Sequence, residues 1–177
     1  MVLRHKLSFR RAGRRLRGAV DPVARGRSLV RPLRMVTQIA APVEVCFDLS
    51  RSIDLHLESM IASKERAVGG VTAGLISAGE EVSWESRHFG RVWRMTSRVT
   101  EFEPPRRFVD QMVRGPFAAF RHEHLFEPDG AGTRMIDVVT FGMPFGLVLD
   151  LPVGLYLRRL LRRRNATIRR EAERAEA

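Results

Sequence analysis

A chain of 177 residues with an apolar fraction of 44%, ten Phe, two Trp and one Tyr has material for one ordinary domain with a real core, which excludes wholesale disorder. No run approaches the roughly 18 uninterrupted apolar residues of a transmembrane helix. The lone Cys46 excludes an internal disulfide or a cysteine-based zinc site and points to a reducing, cytoplasmic setting. The formal net charge of +11 is unevenly spread: residues 1–34 carry eleven Lys or Arg against Asp21, residues 158–177 carry eight Arg against three Glu, and the body between is net acidic by four.

Residues 1–28 have no sustained period and are broken by Gly13, Gly18, Pro22 and Gly26, which predicts a flexible basic arm ahead of a single domain over 29–177. No apolar stretch follows the charges, so the leader is not secretory. An Arg-rich targeting leader and a later start at Met35 are alternatives. A start at Met35 would halve the strand face Leu33, Met35, Thr37, Ile39.

That strand is expected over 31–40. Ala41-Pro42 then sets a Pro at the first position of a helix carrying Val43, Cys46, Phe47 and Ser50 at helical spacing. A second short helix follows over about Ile53–Ala62, with Leu57, Met60 and Ile61 inward. After Gly79 the period changes to 2, giving strands at about 80–89, 91–102, 106–114, 117–127 and 132–142. Their connectors, Gly90, Glu103-Pro104-Pro105, Gly115-Pro116 and Asp129-Gly130, are too short for parallel crossovers. A weaker strand near 64–73 completes a seven-stranded antiparallel sheet. Beyond Pro144 the helical period returns, with Leu147, Leu151, Leu155 and Leu161 on one side, Pro152 placed to bend the helix, and 168–177 as a fraying polar end. Strand, two helices, six strands and a long helix make an α+β helix-grip fold: a curved sheet around a C-terminal helix.

Several runs resemble a known superfamily. Ile39-Ala-Ala-Pro-Val-Glu-Val-Cys-Phe-Asp48 is similar to the opening of START-like, birch-pollen-allergen-like (SRPBCC) domains. Its bacterial polyketide cyclase/dehydrase branch is resembled by the run Gly79–Gly90, Pro105–Asp110, Arg114–Phe117, His122-Glu-His124 and Gly132–Asp137. The resemblance covers about 31–165 and implies the helix-grip fold with a ligand cavity. It carries no defined catalytic motif, since such a fold hosts lipid carriers, receptors and cyclases alike.

Alternation divides the strands into two faces. Glu81, Glu85, Arg87, Arg94, Arg98, Arg107, Arg121, Glu123 and Arg134 form a mixed-sign ladder, the pattern of a solvated antiparallel face. The other face is apolar and aromatic, with Trp84, Trp93, Met95, Met112, Phe120 and Phe141, yet it holds His88, Asp110, His122, His124 and Asp137. A sheet held off its helix leaves a pocket lined by these residues and by Leu151 and Leu155 of the helix. Alternatively each buried polar group is satisfied by a neighbour, Asp by His or His by a carbonyl.

The function expected first is cytoplasmic binding of a small hydrophobic or amphipathic molecule, such as a lipid or polyketide, with no cofactor. An alternative is a cyclase or dehydratase in which His122, His124, Asp110 or Asp137 serve as general acid and base. His122 and His124, two apart on one face, have a spacing that can chelate a metal with His88 or an Asp, but nothing in the sequence fixes a third ligand and no metal is assigned. A third reading docks the basic ends weakly on an anionic membrane; Leu3, Leu7, Phe9, Leu16 and Val20 among the N-terminal charges fit such contact. No aromatics interleave the arginines, which argues against nucleic acid. Arg158-Arg159 and Arg162-Arg163-Arg164 read most simply as cations near a helix C-terminus. No dinucleotide fingerprint, phosphate loop or helical zinc motif is present.

Overall fold

The computed structural model describes residues 32–144 and 146–176. The arm expected over 1–28 lies outside them. In chain order the elements are β1 (Leu33–Ile39), α1 (Val43–Ser50), α2 (Ile53–Ser59), a 3₁₀ turn (Ile61–Ser63), β2 (Arg66–Gly70), β3 (Glu81–His88), β4 (Arg91–Glu103), β5 (Arg107–Arg114), β6 (Ala119–Asp129), β7 (Gly132–Gly142) and α3 (Leu147–Ala175). The strands form one antiparallel sheet of order β1-β7-β6-β5-β4-β3-β2, so the first strand returns to pair with the last. This is the α+β helix-grip architecture.

Local chemistry sets the element ends. Pro42 is the residue before α1 rather than its first, with extended backbone (φ −57°, ψ 154°). Ser52 caps α2, its hydroxyl accepting from Leu55 N at 3.2 Å. The second helix ends earlier than expected, and Ile61 on the following 3₁₀ turn is exposed while Met60 is buried. The weak strand near 64–73 shrinks to five residues. It ends at Gly70, where φ is +70° and a Cβ would collide with Glu81 O. Bulges at Ala67/Gly69, Thr96/Ser97 and Val99/Glu101 curl the sheet. Gly132 lets β7 pass under the chain leaving β1, since a Cβ there would collide with Ile39 O.

Two apolar clusters hold the sheet to its helices. The larger joins Cys46 and Phe47 of α1 and Ile53 of α2 to Phe108, Phe126 and Met135 of the sheet and to Ile168 and Ala172 of α3. Phe47 packs against Phe102, Phe108 and Phe126 at centroid distances of 5.5–5.6 Å. The smaller joins Val139 and Phe141 to Leu161, with Val153 and Leu157 beside them.

The inward stripe of α3 is Asp150, Gly154, Leu157, Leu161, Arg164, Asn165, Ile168 and Ala172. Leu151 and Leu155, expected to face the sheet, instead point to solvent at 66% and 64% exposure. The cause is helix geometry: Leu155 and Leu161 are six residues apart, about 120° around the axis, so Leu155 lies off the face that Leu161 turns to the sheet. The stripe that does face inward is mixed in polarity and invisible to a search for leucines. Within the stretch expected as a polar helix end, Ile168 and Ala172 are buried in the main core. At the other end Asp150, buried, accepts from Met143 N at 2.8 Å and fastens the turn out of β7.

Candidate functional site

A cavity of about 640 Å³ opens between the concave sheet face, α2 and the first half of α3. Of the expected lining residues, Trp84, His88, Trp93, Met95, Asp110, Phe120, His122 and His124 border it. Neighbours on the same wall fix the tryptophans: Trp84 stacks on His56 at 4.3 Å, and Trp93 Nε1 donates to His88 O at 3.2 Å.

Five expected lining residues are not there. Leu151 and Leu155 face outward, for the reason given above. Phe141 is buried behind the wall, and a Cβ at Gly154 would lie 3.3 Å from its ring. Met112 is tucked beneath the β5–β6 turn, where a Cβ at Gly115 would meet its sulfur at 2.6 Å. Asp137 is 0% exposed and lies behind the histidines.

Strand register builds the polar centre. Asp110 on β5 is directly opposite His122 on β6, and His124 is directly opposite Asp137 on β7. The hydrogen bonds run along the diagonals: His122 Nε2 donates to Asp137 Oδ1 at 2.8 Å, and His124 Nε2 donates to Asp110 Oδ2 at 3.0 Å. His124 Nδ1 lies 3.1 Å from Asp137 Oδ1 without the alignment of a hydrogen bond. Asp137 is held further by α3, accepting from Asn165 Nδ2 at 2.7 Å and from Arg164 Nη1 at 3.5 Å. Arg164 Nη2 in turn donates to Ser50 O at 2.7 Å.

Burial disfavours ionisation of Asp137, but the hydrogen bonds and charge of His122 and His124 outweigh it and hold its carboxyl well below the usual range. Asp110 is shifted the same way, burial again opposed by His124 and His122. Burial, helped by the neighbouring His124, pushes His122 down to about 4, so this imidazole is neutral at physiological pH. The cluster is therefore two carboxylates, one guanidinium and imidazoles that donate to both acids. Its donor set could also hold a cation, since Asp110, His122 and His124 offer ligand atoms within 4.8 Å of one another. Each of these residues already has a protein partner.

A second polar group lies at the cavity mouth. Tyr156 of α3 and His88 of β3 share a hydrogen bond of 2.8 Å between hydroxyl and Nδ1, and Ser86 Oγ meets His88 Nε2 at 2.9 Å. Desolvation lowers the His88 pKa. Ser97 also borders the cavity, and its hydroxyl is buried with no hydrogen-bond partner among the described residues.

Sequence reasoning missed His56, Tyr156 and Arg164. Tyr156 is the chain's single tyrosine and falls one helical turn before Leu160, which was a usable signal. Arg164 had none, hidden as it is in a run of three arginines.

The outer face is the charge ladder expected. Arg94 Nη2 reaches Glu85 at 2.7 Å, and Arg107 bridges Glu101 and Glu123, each at 2.6 Å. Among the described residues no helix is long and apolar enough to cross a membrane.

Solved structures share this fold at low identity. The protein TTHA0849 from Thermus thermophilus is 18% identical with a TM-score of 0.67, over 82% of this chain and 99% of that one. The Zhui aromatase/cyclase from Streptomyces sp. R1128 is 14% identical with a TM-score of 0.66, over 83% and 96%. The ginseng major latex-like protein 151 from Panax ginseng is 13% identical with a TM-score of 0.58, over 80% and 96%. No curated protein matches the chain. The family model described as polyketide cyclase / dehydrase and lipid transport matches residues 33–173, nearly the whole described domain, and the chain belongs to that family within the SRPBCC superfamily.

Proposed function

We propose that the domain is a cytoplasmic binding module enclosing one small hydrophobic or amphipathic molecule between sheet and α3. The observation that carries this is a cavity of about 640 Å³, within the usual range for small-molecule sites, whose wall is chiefly aromatic and aliphatic. Its deepest polar groups are already paired with one another, which suits orientation of a ligand more than reaction with it. Native mass spectrometry of the purified chain tests the proposal. A co-purified lipid or aromatic mass is the expected result, and a chain that neither carries one nor binds any added apolar compound refutes it.

A cyclase or dehydratase is the second reading, favoured by Asp110, His122 and His124 bordering the same cavity. Against it, an imidazole held near 4 is a weak base at neutral pH, whereas efficient general bases titrate near the working pH. Turnover of a polyketone that is lost in His124→Ala, with the fold retained, would establish the enzyme. Weak contact with an anionic membrane is the third reading, favoured by Val148, Leu151 and Leu155 standing exposed on the first turns of α3.

A further inference from the structure

We propose that a smaller hollow beside the cavity is an anion subsite opening to it when ligand is bound, so that the ligand is an amphiphile with a carboxylate or phosphate head on an apolar body. This rests on the cavity-binding reading above and narrows it. The hollow measures about 260 Å³ and is bordered by Arg87 of β3 and by Arg159 and Arg163 of α3. Met60, His88, Phe89, Tyr156 and Leu160 border both spaces, so the two lie side by side.

Arg87 differs from the arginines around it on the sheet in having no carboxylate partner, and Arg159 and Arg163 share that lack with Arg158 and Arg162 but alone among these four border the hollow. On the same outer sheet face Arg66, Arg94, Arg98, Arg107 and Arg121 each pair with a glutamate. Arg87, Arg159 and Arg163 form no ion pair with any of the described residues. Glu65, an acid whose charge reaches Tyr156, is itself engaged by His56 at 3.1 Å. Arg159 and Arg163 are four residues apart and so project from one side of α3. The helix dipole does not account for them, because α3 continues to Ala175, roughly three turns or more beyond, and the dipole acts only over the last turn. Three like charges border one concavity, which favours an anion there, and the planar guanidinium fork matches carboxylate and phosphate oxygens. The Tyr156–His88 hydrogen bond of 2.8 Å borders both the apolar cavity and the cationic hollow.

The full chain is titrated with decanoate, decyl phosphate and decanol, following the emission of Trp84 and Trp93. The same is done for the double variants Arg159→Gln/Arg163→Gln and Arg158→Gln/Arg162→Gln; the second pair is exposed and borders neither space. The expected result is that at least one anion binds about tenfold tighter than decanol, the size of one charge-assisted hydrogen-bond set. That preference should collapse in Arg159→Gln/Arg163→Gln with decanol unaffected, and survive in the control. The tighter of the two anions identifies the head group. Equal affinity of anions and alcohol in the wild type, or a preference that survives the first double variant, overturns the inference while leaving the cavity reading intact. So does a variant that loses only sedimentation with anionic phosphatidylserine vesicles, which would assign the arginines to a membrane surface. Binding of none of the three compounds overturns both.

Discussion

His122 and His124 lie with ring centroids 3.7 Å apart and planes tilted by 36°, and both stand between the same two carboxylates, Asp110 toward the cavity and Asp137 toward α3. Strand register dictates this. Two residues apart on β6 put both rings on one face, and the flanking strands supply an aspartate opposite each ring. The outcome is a closed polar ring inside an aromatic wall. Its Asp110 edge keeps the most solvent contact, at 23% of the side chain against 10% for His122.

Asp137 ties three elements at once, so it should be the most sensitive member. Asp137→Asn keeps the volume but leaves Arg164 buried opposite a neutral amide, a loss of about 3–5 kcal/mol by the usual cost of breaking a buried pair. Denaturant unfolding should show this as a lower midpoint with an unchanged slope. An unaltered midpoint would mean that Arg164 and Asn165 hold α3 without their carboxylate.

Acid should loosen the domain in two stages. The His122 pKa is about 4 in the fold against an ordinary 6.5, so the unfolded chain binds more protons between those values and stability falls as pH drops through that window. The effect is roughly 3 kcal/mol at most. Asp137 and Asp110 are lowered below their ordinary value, so their contribution is present above about pH 4 and is lost as pH falls further. Melting temperature should decline from pH 7 to 5, and His122→Gln should flatten that first decline. A profile that is level between pH 7 and 4.5 in the wild type would contradict the neutral buried imidazole.

The sheet was legible because period-2 alternation and Gly/Pro turns act locally: every strand from Glu81 to Gly142 lies within a few residues of its expected place, and the inward set Trp84, Trp93, Met95, Asp110, His122 and His124 needed only parity. The helix face was not legible. Leucines mark a buried stripe only when the buried partners are apolar, and α3 instead spends Asp150, Gly154, Arg164 and Asn165 on its inner face. Nor could parity tell that Asp137 lies behind His122 and His124 while Asp110 lies before them. That depends on which strand neighbours α3, a long-range fact.

If the cavity selects by apolar burial, affinity should climb with ligand length until the space is full. Each methylene adds about 0.8 kcal/mol, close to fourfold in affinity. Straight-chain alcohols from hexanol upward, titrated against tryptophan emission, should show this slope and then a plateau. Phe120→Ala, which enlarges the wall, should move the plateau to longer chains. A flat series from the outset would show that alkyl chains do not enter the space beside Trp84 and Trp93.

The last expectation concerns the two sides of α3. Leu161 and Ile168 are buried at 7% and 2% exposure, in different apolar clusters. Truncating either to Ala removes packed methylenes and opens a void, a loss of about 2–5 kcal/mol. Leu151→Ala and Leu155→Ala remove side chains already in solvent and should stay within about 0.5 kcal/mol of the wild type. The two pairs are far enough apart along the helix to be compared in one background, since distant sites add. A large loss at Leu151 or Leu155, matched by little change at Leu161, would mean that α3 is rotated from the orientation described. The Tyr156–His88 contact and the positions of Arg159 and Arg163 would then have to move with it, because all three are fixed by the same helical phase.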